Sequence, residues 1–226
     1  WVSGAGDLGA PRLVFGGRRQ RCIRDGCRTV KSGEELAFRR KAARISEKIV
    51  DGWLDRVEPG LPKNEIVAEI MRDAILGVDD AWGDCAAIVP LLPSGTDAAA
   101  PHLTWDGRPL QEGEATFCEI SGCYRRYHIP FCRTVFLGEP PDLFKHAEAA
   151  LVEGLEAGLE MARPGNRACD VANALAAPLE AAGITRGARC GSPIGLAYPP
   201  GWGERSHSAR PRTATRPEHD KTLQRT

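Results

Sequence analysis

Apolar residues recur at helical spacing in two stretches of the first third of the chain. Residues 34–57 carry them three and four positions apart, which predicts an amphipathic helix with a charged outer face. These apolar positions are Leu36, Ala43, Ile45, Ile49, Val50, Trp53, Leu54 and Val57. Pro59-Gly60 ends this helix, and a second one follows with Asn64 as its candidate cap. The apolar side of the second helix consists of Ile66, Val67, Ile70, Ala74 and Ile75.

The middle and last thirds alternate between short apolar runs and a second pair of helices. The runs 86–92 and 116–120 have the composition of strands. Pro140-Pro141-Asp142 then opens a long predicted helix. Its apolar residues recur every four positions, at Leu143, Ala147, Leu151, Leu155 and Leu159. After Pro164-Gly165 a shorter helix is predicted over residues 170–182, kinked or shortened by Pro178.

The two pairs of helices form an internal repeat. In each half a long helix ends at Pro-Gly, and the shorter helix after it carries an acid in its first turn, Glu65 or Asp170. A carboxylate at that place suits the positive end of a helix. Two similar α-α-β halves predict an α+β domain with pseudo-twofold symmetry and a site between the halves.

Composition narrows the class of protein without pointing to a reaction. A chain of 226 residues can bury one full core, and its 30 basic and 30 acidic residues leave no charge footprint for nucleic acid or membrane. The longest apolar run is too short to span a bilayer, and no secretory signal opens the chain. The 8 cysteines form no CxxC pair and are interpreted as reduced, buried thiols. We therefore expect a cytoplasmic protein.

Both ends of the chain lack a sustained apolar period. Residues 1–30 are rich in Gly and Arg, and their formal GxGxxG string has no strand before it, so it predicts no dinucleotide site. Residues 205–226 contain one leucine among mostly polar residues, a composition that cannot bury a segment. We expect a remnant at 1–30, an incomplete catalytic domain at 31–204 and a disordered or out-of-frame tail at 205–226. Truncation or a frameshift at both ends is the corresponding hypothesis.

Residues 94–134 carry the candidate chemistry. Ser94-Gly95 precedes His102, a predicted strand contains Glu119, and Arg133-Thr134 closes the stretch. This order resembles the pita-bread superfamily of methionine aminopeptidases, prolidases and creatinase, and the likeness extends over about three quarters of the chain. It implies the pita-bread fold, with the last strands of the second half missing.

The same resemblance bears on metal binding. In the peptidases of this superfamily a second aspartate lies eleven residues after the first, and here that position is Pro130. A later Gly-His-Gly-Ile-Gly motif appears as Gly191-Ser192-Pro193-Ile194-Gly195, with Ser192 in place of the metal-binding histidine. Because a dinuclear site needs several carboxylates to hold two divalent ions, the resemblance predicts no metal and no other cofactor.

A narrower resemblance is to the ectoine hydrolases, a creatinase-like family that opens a cyclic amidine. It is carried by the strings His102-Leu103-Thr104-Trp105, Arg125-Arg126-Tyr127-His128 and Tyr198-Pro199-Pro200-Gly201-Trp202-Gly203-Glu204. The resemblance implies a small ectoine-like amidine as substrate and a homodimer as the assembly. That family's pattern has Tyr where Ser192 stands.

The implied reaction assigns a role to each candidate residue. Amidine hydrolysis needs an activated water and a proton for the leaving nitrogen, and an imidazole near its ordinary pKa can serve both steps. His102 is then base and acid, and Glu119 holds the amidinium through charge-assisted hydrogen bonds. Arg133 would pair the substrate carboxylate or brace Glu119. The remaining candidate substrate contacts are His128, Tyr198 and Trp202, of which the last two fit core packing equally well.

Two other functions stay open at this point. One is a metal-dependent Xaa-Pro aminopeptidase or prolidase, the usual activity of the superfamily. The other is an inactive fragment or binding module, favoured by the composition of the two ends.

Overall fold

The computed structural model describes residues 30–185, 190–199 and 201–203. The described residues form four α-helices, one short 3-10 helix and four β-strands. The helices are α1 (Gly33–Arg56), α2 (Lys63–Leu76), the 3-10 helix (Gly95–Ala99), α3 (Asp142–Met161) and α4 (Ala168–Ala181), and the strands are β1 (Ala115–Tyr124), β2 (Tyr127–Phe136), β3 (Ile194–Tyr198) and β4 (Gly201–Gly203). The strands pair in the order β1-β2-β3-β4, all antiparallel. The α+β prediction is confirmed.

Helix α1 begins where the sequence can satisfy its free backbone donors. The Ser32 hydroxyl accepts the Glu35 N–H at 3.2 Å, and the Glu35 carboxylate accepts the Ser32 N–H at 2.8 Å, which is a reciprocal capping box. The apolar face predicted for this helix is buried, with Ile45, Ile49 and Trp53 at 0–1% exposure. Helix α2 also forms as predicted, but Asn64 is not its cap, because Pro62 occupies that position and makes no side-chain hydrogen bond.

Strands β1 and β2 form a hairpin whose inner face lies on α1. Cys118, Ile120 and Tyr124 belong to the core cluster that includes the buried residues of α1. Because side chains alternate along a strand, Phe117, Glu119 and Ser121 project from the other face of the sheet. The predicted strand at 116–120 is therefore confirmed and is longer than expected, at 10 residues.

The apolar run 86–92 forms an edge segment rather than a full strand. Leu91 exchanges two backbone hydrogen bonds of 3.0 Å with Glu119, and Ser94 bridges to Thr116. Pro90 lies inside the run and Pro93 directly follows it, and neither has an N–H to donate to a ladder. The predicted strand at 86–92 is thus wrong in extent, although the segment does lie along the free edge of β1.

Gly122 lies where α1 and β1 are in closest contact. Its backbone N–H donates to the Ser46 hydroxyl at 2.8 Å, and Ser46 donates in turn to the carbonyl of Ile129. A Cβ built at Gly122 would overlap the Ala42 carbonyl oxygen and the Ser46 backbone nitrogen. Only a residue without a side chain therefore permits this approach of helix to strand.

Replacing Gly122 with alanine is expected to destabilise the fold by about 2 kcal/mol, in the range of overpacking substitutions. Equilibrium urea unfolding followed by circular dichroism measures the change. Gly33→Ala is the control, since a Cβ at Gly33 meets nothing within 4 Å. Equal stability of the two variants would contradict this account of the helix–strand contact.

The second pair of helices repeats the first in length and order. Helices α1 and α2 have 24 and 14 residues, α3 and α4 have 20 and 14, and Glu65 and Asp170 lie in the first turns as predicted. Helix α4 extends past Pro178 by three residues. The predicted internal repeat is therefore present among the described helices.

The apolar stripe of α3 does not face the interior as its spacing suggests. Leu151, Leu155 and Leu159 are 51%, 53% and 64% exposed. Helix α3 instead contacts α4 through Gly154 and Gly158, which lie against Leu175. Small residues let the backbones of the two helices approach closely at this face.

The predicted boundaries at the two ends are not addressed by the described residues. Apart from Val30, the predicted remnant at 1–30 lies outside them, as do Glu204 and the predicted tail at 205–226. Within the part of the chain that is described, no helix is long and apolar enough to cross a bilayer.

Candidate functional site

The sheet face turned away from α1 carries Glu119. Glu119 pairs with Cys132 across the hairpin, and Ser121 pairs with Pro130 one step further along the same face. Directly opposed residues of an antiparallel pair project from the same side, so these four residues are neighbours. Glu119 is partly buried. The position that carries the second carboxylate in the family pattern therefore lies next to Glu119 and holds a proline.

The loop that carries His102 starts beside the same strand. The Ser94 hydroxyl donates to the Thr116 hydroxyl at 2.9 Å, and Thr116 donates to the Pro93 carbonyl at 3.1 Å. The 3-10 helix follows directly, and His102 lies exposed in the turn after it. The start of the His102 loop is thus attached to β1 at Thr116, three residues before Glu119.

Arg133 lies on the opposite face of the sheet from Glu119. It pairs with Cys118, which packs into the core on the α1 side. Its guanidinium lies 5.0 Å from the centre of the Phe131 ring and donates to the Cys132 carbonyl at 2.9 Å. Strand alternation therefore argues against Arg133 as a brace for Glu119, and we correct that interpretation.

His128 is fully buried, with both ring nitrogens engaged inside the protein. Nδ1 lies 2.9 Å from the Arg126 carbonyl oxygen, and Nε2 lies 2.9 Å from the Ala87 backbone nitrogen. The carbonyl can only accept and the N–H can only donate, so Nδ1 carries the proton and Nε2 accepts. Burial lowers the pKa of this imidazole, which favours the neutral ring. This geometry gives His128 a structural task and leaves no nitrogen for substrate.

Tyr198 lies near the hairpin turn, away from Glu119. Leu196 on β3 pairs with Tyr127, the first residue after that turn, and the Tyr198 ring lies 4.5 Å from the Arg126 guanidinium. Glu119 lies five residue steps along β1 from Tyr124 at the turn, a distance of about 17 Å at the rise of a strand. Trp202 is half-buried on β4. The structure thus places Tyr198 near the turn, whereas the His102 loop starts beside Thr116, near the other end of β1.

The sequence names Arg126 only within the string Arg125-Arg126-Tyr127-His128 and gives it no role of its own. Its side chain is 14% exposed, lies 3.7 Å from Asp84 and donates to the Ala197 carbonyl at 3.1 Å. It also donates to the Cys85 carbonyl. Arg126 therefore joins the hairpin turn, the segment after α2 and strand β3. Arg126 has a backbone φ of 68°. It takes this value because it lies in the two-residue turn of the hairpin, and that turn is not evident from the local sequence.

The thiols near this face are poor candidates for a nucleophile. Burial raises the pKa of Cys123 to about 12 and raises that of Cys118 as well, so both stay protonated near neutral pH. Cys85 and Cys132 are exposed, contrary to the expectation of buried thiols. The chemistry of the face therefore depends on its carboxylate and the histidine loop.

A dinuclear metal centre does not fit the donors of the Glu119 face. Pro130 offers no side-chain ligand, and Ser121 donates its hydroxyl to the Gly122 carbonyl. Among the residues that the structure describes, no group of three or more His, Cys, Asp or Glu side chains lies close enough together to hold an ion. Two divalent cations require several carboxylates, and the described residues of this face supply one, Glu119.

A separate apolar cavity of about 380 Å³ lies between α2 and residues 83–90. None of the predicted site residues lines it. Its one carboxylate, Asp84, accepts the Cys85 N–H at 2.7 Å and lies beside Arg126. Without a histidine or an uncommitted carboxylate, this cavity lacks the groups that hydrolysis requires.

Comparison with known proteins identifies the family. The model of metallopeptidase family M24 matches residues 37–224, most of the chain. The chain belongs to this family. Among curated M24-like relatives, the ectoine hydrolase of Halomonas elongata is 53% identical over 195 residues, and an uncharacterized hydrolase/peptidase of Sinorhizobium fredii is 32% identical over 183 residues. These matches include 84% and 81% of this chain but 49% and 47% of the relatives, so the M24 chain spans about half their length.

Solved structures agree with the M24 assignment at the level of fold. A dipeptidase from Pyrococcus horikoshii superposes with a TM-score of 0.70 at 21% identity, covering 88% of this chain and 58% of that one. The prolidase from Pyrococcus furiosus gives 0.68 at 19% identity, with coverage of 79% and 54%. The pita-bread prediction is thereby confirmed.

Proposed function

We propose that this M24 chain supplies the catalytic residues of an ectoine hydrolase-like enzyme, which hydrolyses a C–N bond of a small cyclic amidine. The substrate would be ectoine and the product N-acetyl-2,4-diaminobutyrate. The observation that carries this proposal is 53% identity to the Halomonas ectoine hydrolase over 84% of the chain. The superposed dipeptidase and prolidase are 19–21% identical and indicate the fold alone.

His102 and Glu119 divide the chemistry between them in this proposal. The His102 imidazole removes a proton from water as the water oxygen bonds to the amidine carbon. The resulting imidazolium returns that proton to the ring nitrogen as the C–N bond breaks. The hydroxyl proton of the tetrahedral carbon passes to the freed amine as the C=O bond forms, which leaves an acetamide and an ammonium group. Glu119 accepts N–H donors of the amidinium and holds the carbon in place, because charge-assisted hydrogen bonds are the strongest that a neutral-pH site offers.

Metal independence is part of the proposal and sets it against the peptidase alternative. Pro130 beside Glu119 and Ser192 in the later motif remove two expected ligands. No step above needs a Lewis acid, since an amidinium already carries the positive charge that activates its carbon. The family is named for metallopeptidases, so a metal-dependent Xaa-Pro peptidase stays the rival function.

The geometry removes two residues from the predicted substrate contacts. His128 and Arg133 are left out of the proposed site, the first because its nitrogens are engaged and the second because it lies on the other face. Tyr198 on β3 and Trp202 on β4 stay predicted substrate contacts, and the homodimer also stays a prediction.

Turnover of ectoine with and without a chelator tests this function. Purified protein is incubated with ectoine, and N-acetyl-2,4-diaminobutyrate is followed by mass spectrometry before and after dialysis against EDTA. We expect product at the same rate in both samples, because the proposed steps use only imidazole and carboxylate. Xaa-Pro dipeptides with added Mn²⁺ or Co²⁺ form the comparison arm. Loss of amidine turnover on chelation, restored by metal, would overturn metal independence, and dipeptide cleavage alone would favour the rival.

A further inference from the structure

The loop that carries His102 is closed by a set of charged side chains. Arg108 pairs with Asp97 on the 3-10 helix, and its Nε donates to the Asp106 carboxylate at 2.8 Å. The Arg108 backbone N–H donates to the same carboxylate at 2.8 Å. Residues 97 and 108 are thus joined, and His102 lies near the middle of the closed segment between them.

A buried lysine anchors this closed segment to helix α2. The Lys63 side chain is 4% exposed, and its Nζ lies 2.9 Å from the Asp106 carboxylate. A buried ammonium is costly unless a partner compensates it, so Asp106 is fixed by Lys63 as well as by Arg108. Backbone hydrogen bonds from Lys63 to the Arg108 carbonyl, at 3.2 Å, and from Leu110 to the Leu61 carbonyl, at 3.0 Å, continue the attachment.

The set stays charged throughout the neutral range. The Arg108 guanidinium, and after it the Lys63 ammonium, hold the pKa of Asp106 well below its usual range. Asp106 and Asp97 together raise the pKa of Arg108. Since Arg108 is 66% exposed, its ion pairs contribute little to global stability. Their effect is confined to the conformation of the loop.

We propose that the set formed by Asp97, Arg108 and Asp106 positions His102 for proton transfer, with Arg108 as the central positioning residue. Lys63 anchors this set through Asp106. The inference rests on the proposed function, in which His102 is base and acid. A general base must reach its proton within hydrogen-bonding distance, and a misplacement of about 1 Å can lower the rate about a hundredfold. An exposed histidine in a turn has no packing of its own to provide that precision.

The kinetic test compares Arg108→Met with Arg108→Lys and with a matched control. Arg108→Met should lower kcat for ectoine at least tenfold while KM changes less than threefold. Arg108→Lys should restore part of kcat, because an ammonium can reach Asp97 but cannot span both carboxylates as a planar guanidinium does. Arg44→Met breaks a comparable exposed pair, with Asp79, and should change kcat less than twofold. If Arg108→Met is poorly folded, Asp97→Asn takes its place in the test, because it removes the same ion pair between residues 97 and 108.

An NMR measurement decides the inference without turnover. In protein labelled at histidine, the His102 ring signal is assigned by its loss in His102→Gln. Arg108→Met should broaden or move this signal, whereas Arg44→Met should leave it unchanged. An unaltered His102 signal, or an unaltered kcat in an active protein, would overturn the positioning role. If the wild-type protein fails to hydrolyse ectoine but Arg108→Met still changes the His102 signal, the result would refute the proposed function and support the closure of the loop by Arg108.

Discussion

His102→Ala is expected to reduce kcat/KM for ectoine about 10³-fold, within the usual range for removal of a general acid–base group. The side chain is exposed and the variant removes no packing, so the free energy of unfolding should change by less than about 0.5 kcal/mol. The rate is measured by the appearance of N-acetyl-2,4-diaminobutyrate under saturating and subsaturating ectoine. Folding is checked by the urea transition of the same preparation.

A matched control and a rescue sharpen this prediction. His146→Ala changes another exposed histidine, on α3, and should retain full activity. Free imidazole added to His102→Ala should restore part of the lost rate, because the proposed role requires only a base of suitable pKa. A His102→Ala protein that keeps activity within threefold of wild type would remove His102 from the mechanism.

His128→Leu is expected to destabilise the fold by about 3 kcal/mol without any direct effect on chemistry. The substitution removes the imidazole ring and leaves its two backbone partners in place. The Ala87 N–H and one acceptor position of the Arg126 carbonyl then have no hydrogen bond. Each buried polar group left unpaired costs about 1–3 kcal/mol. Urea unfolding at neutral pH measures the loss, and His146→Leu serves as the exposed control, with an expected change below about 0.5 kcal/mol.

The same residue predicts a pH dependence with a defined sign. Burial lowers the pKa of His128 in the folded protein, whereas in the unfolded chain a histidine titrates near about 6.5. Between the two values the unfolded state binds more protons, so stability falls as the pH decreases below about 6.5. This slope between about pH 6.5 and 5.5 should be smaller in His128→Leu. An identical slope in both proteins would show that His128 is not the group responsible.

Local patterns were sufficient for the elements and for their repetition. The 3.6-residue period of α1 predicted its buried face, because one stripe of a helix must be removed from water wherever the helix packs. Pro-Gly after each long helix predicted the ends of α1 and α3, since neither residue continues a helix. Family motifs predicted the pita-bread fold, because His102, Glu119 and Pro130 occur in the same order as the corresponding motif positions of proteins with that fold.

Local patterns were insufficient wherever two segments compete for one surface. The leucine stripe of α3 predicts a buried face, yet α3 packs on α4 through Gly154 and Gly158, which allow closer contact. Pro90 lies inside a run with strand-like composition and Pro93 directly follows it, but the effect of a missing N–H on strand pairing is evident only once the neighbouring strand is known. Asn64 has the chemistry of a cap, while Pro62 occupies that place.

The sequence by itself determined the family, the helix pairs and the identity of His102 and Glu119 as the candidate base and carboxylate. It did so because composition, period and motif order depend on the chain alone. Only the tertiary structure decided that His128 is engaged on both nitrogens, that Arg133 lies on the wrong face, and that Arg108 closes the His102 loop. Those outcomes depend on strand register and on burial, which arise when segments distant in sequence pack together.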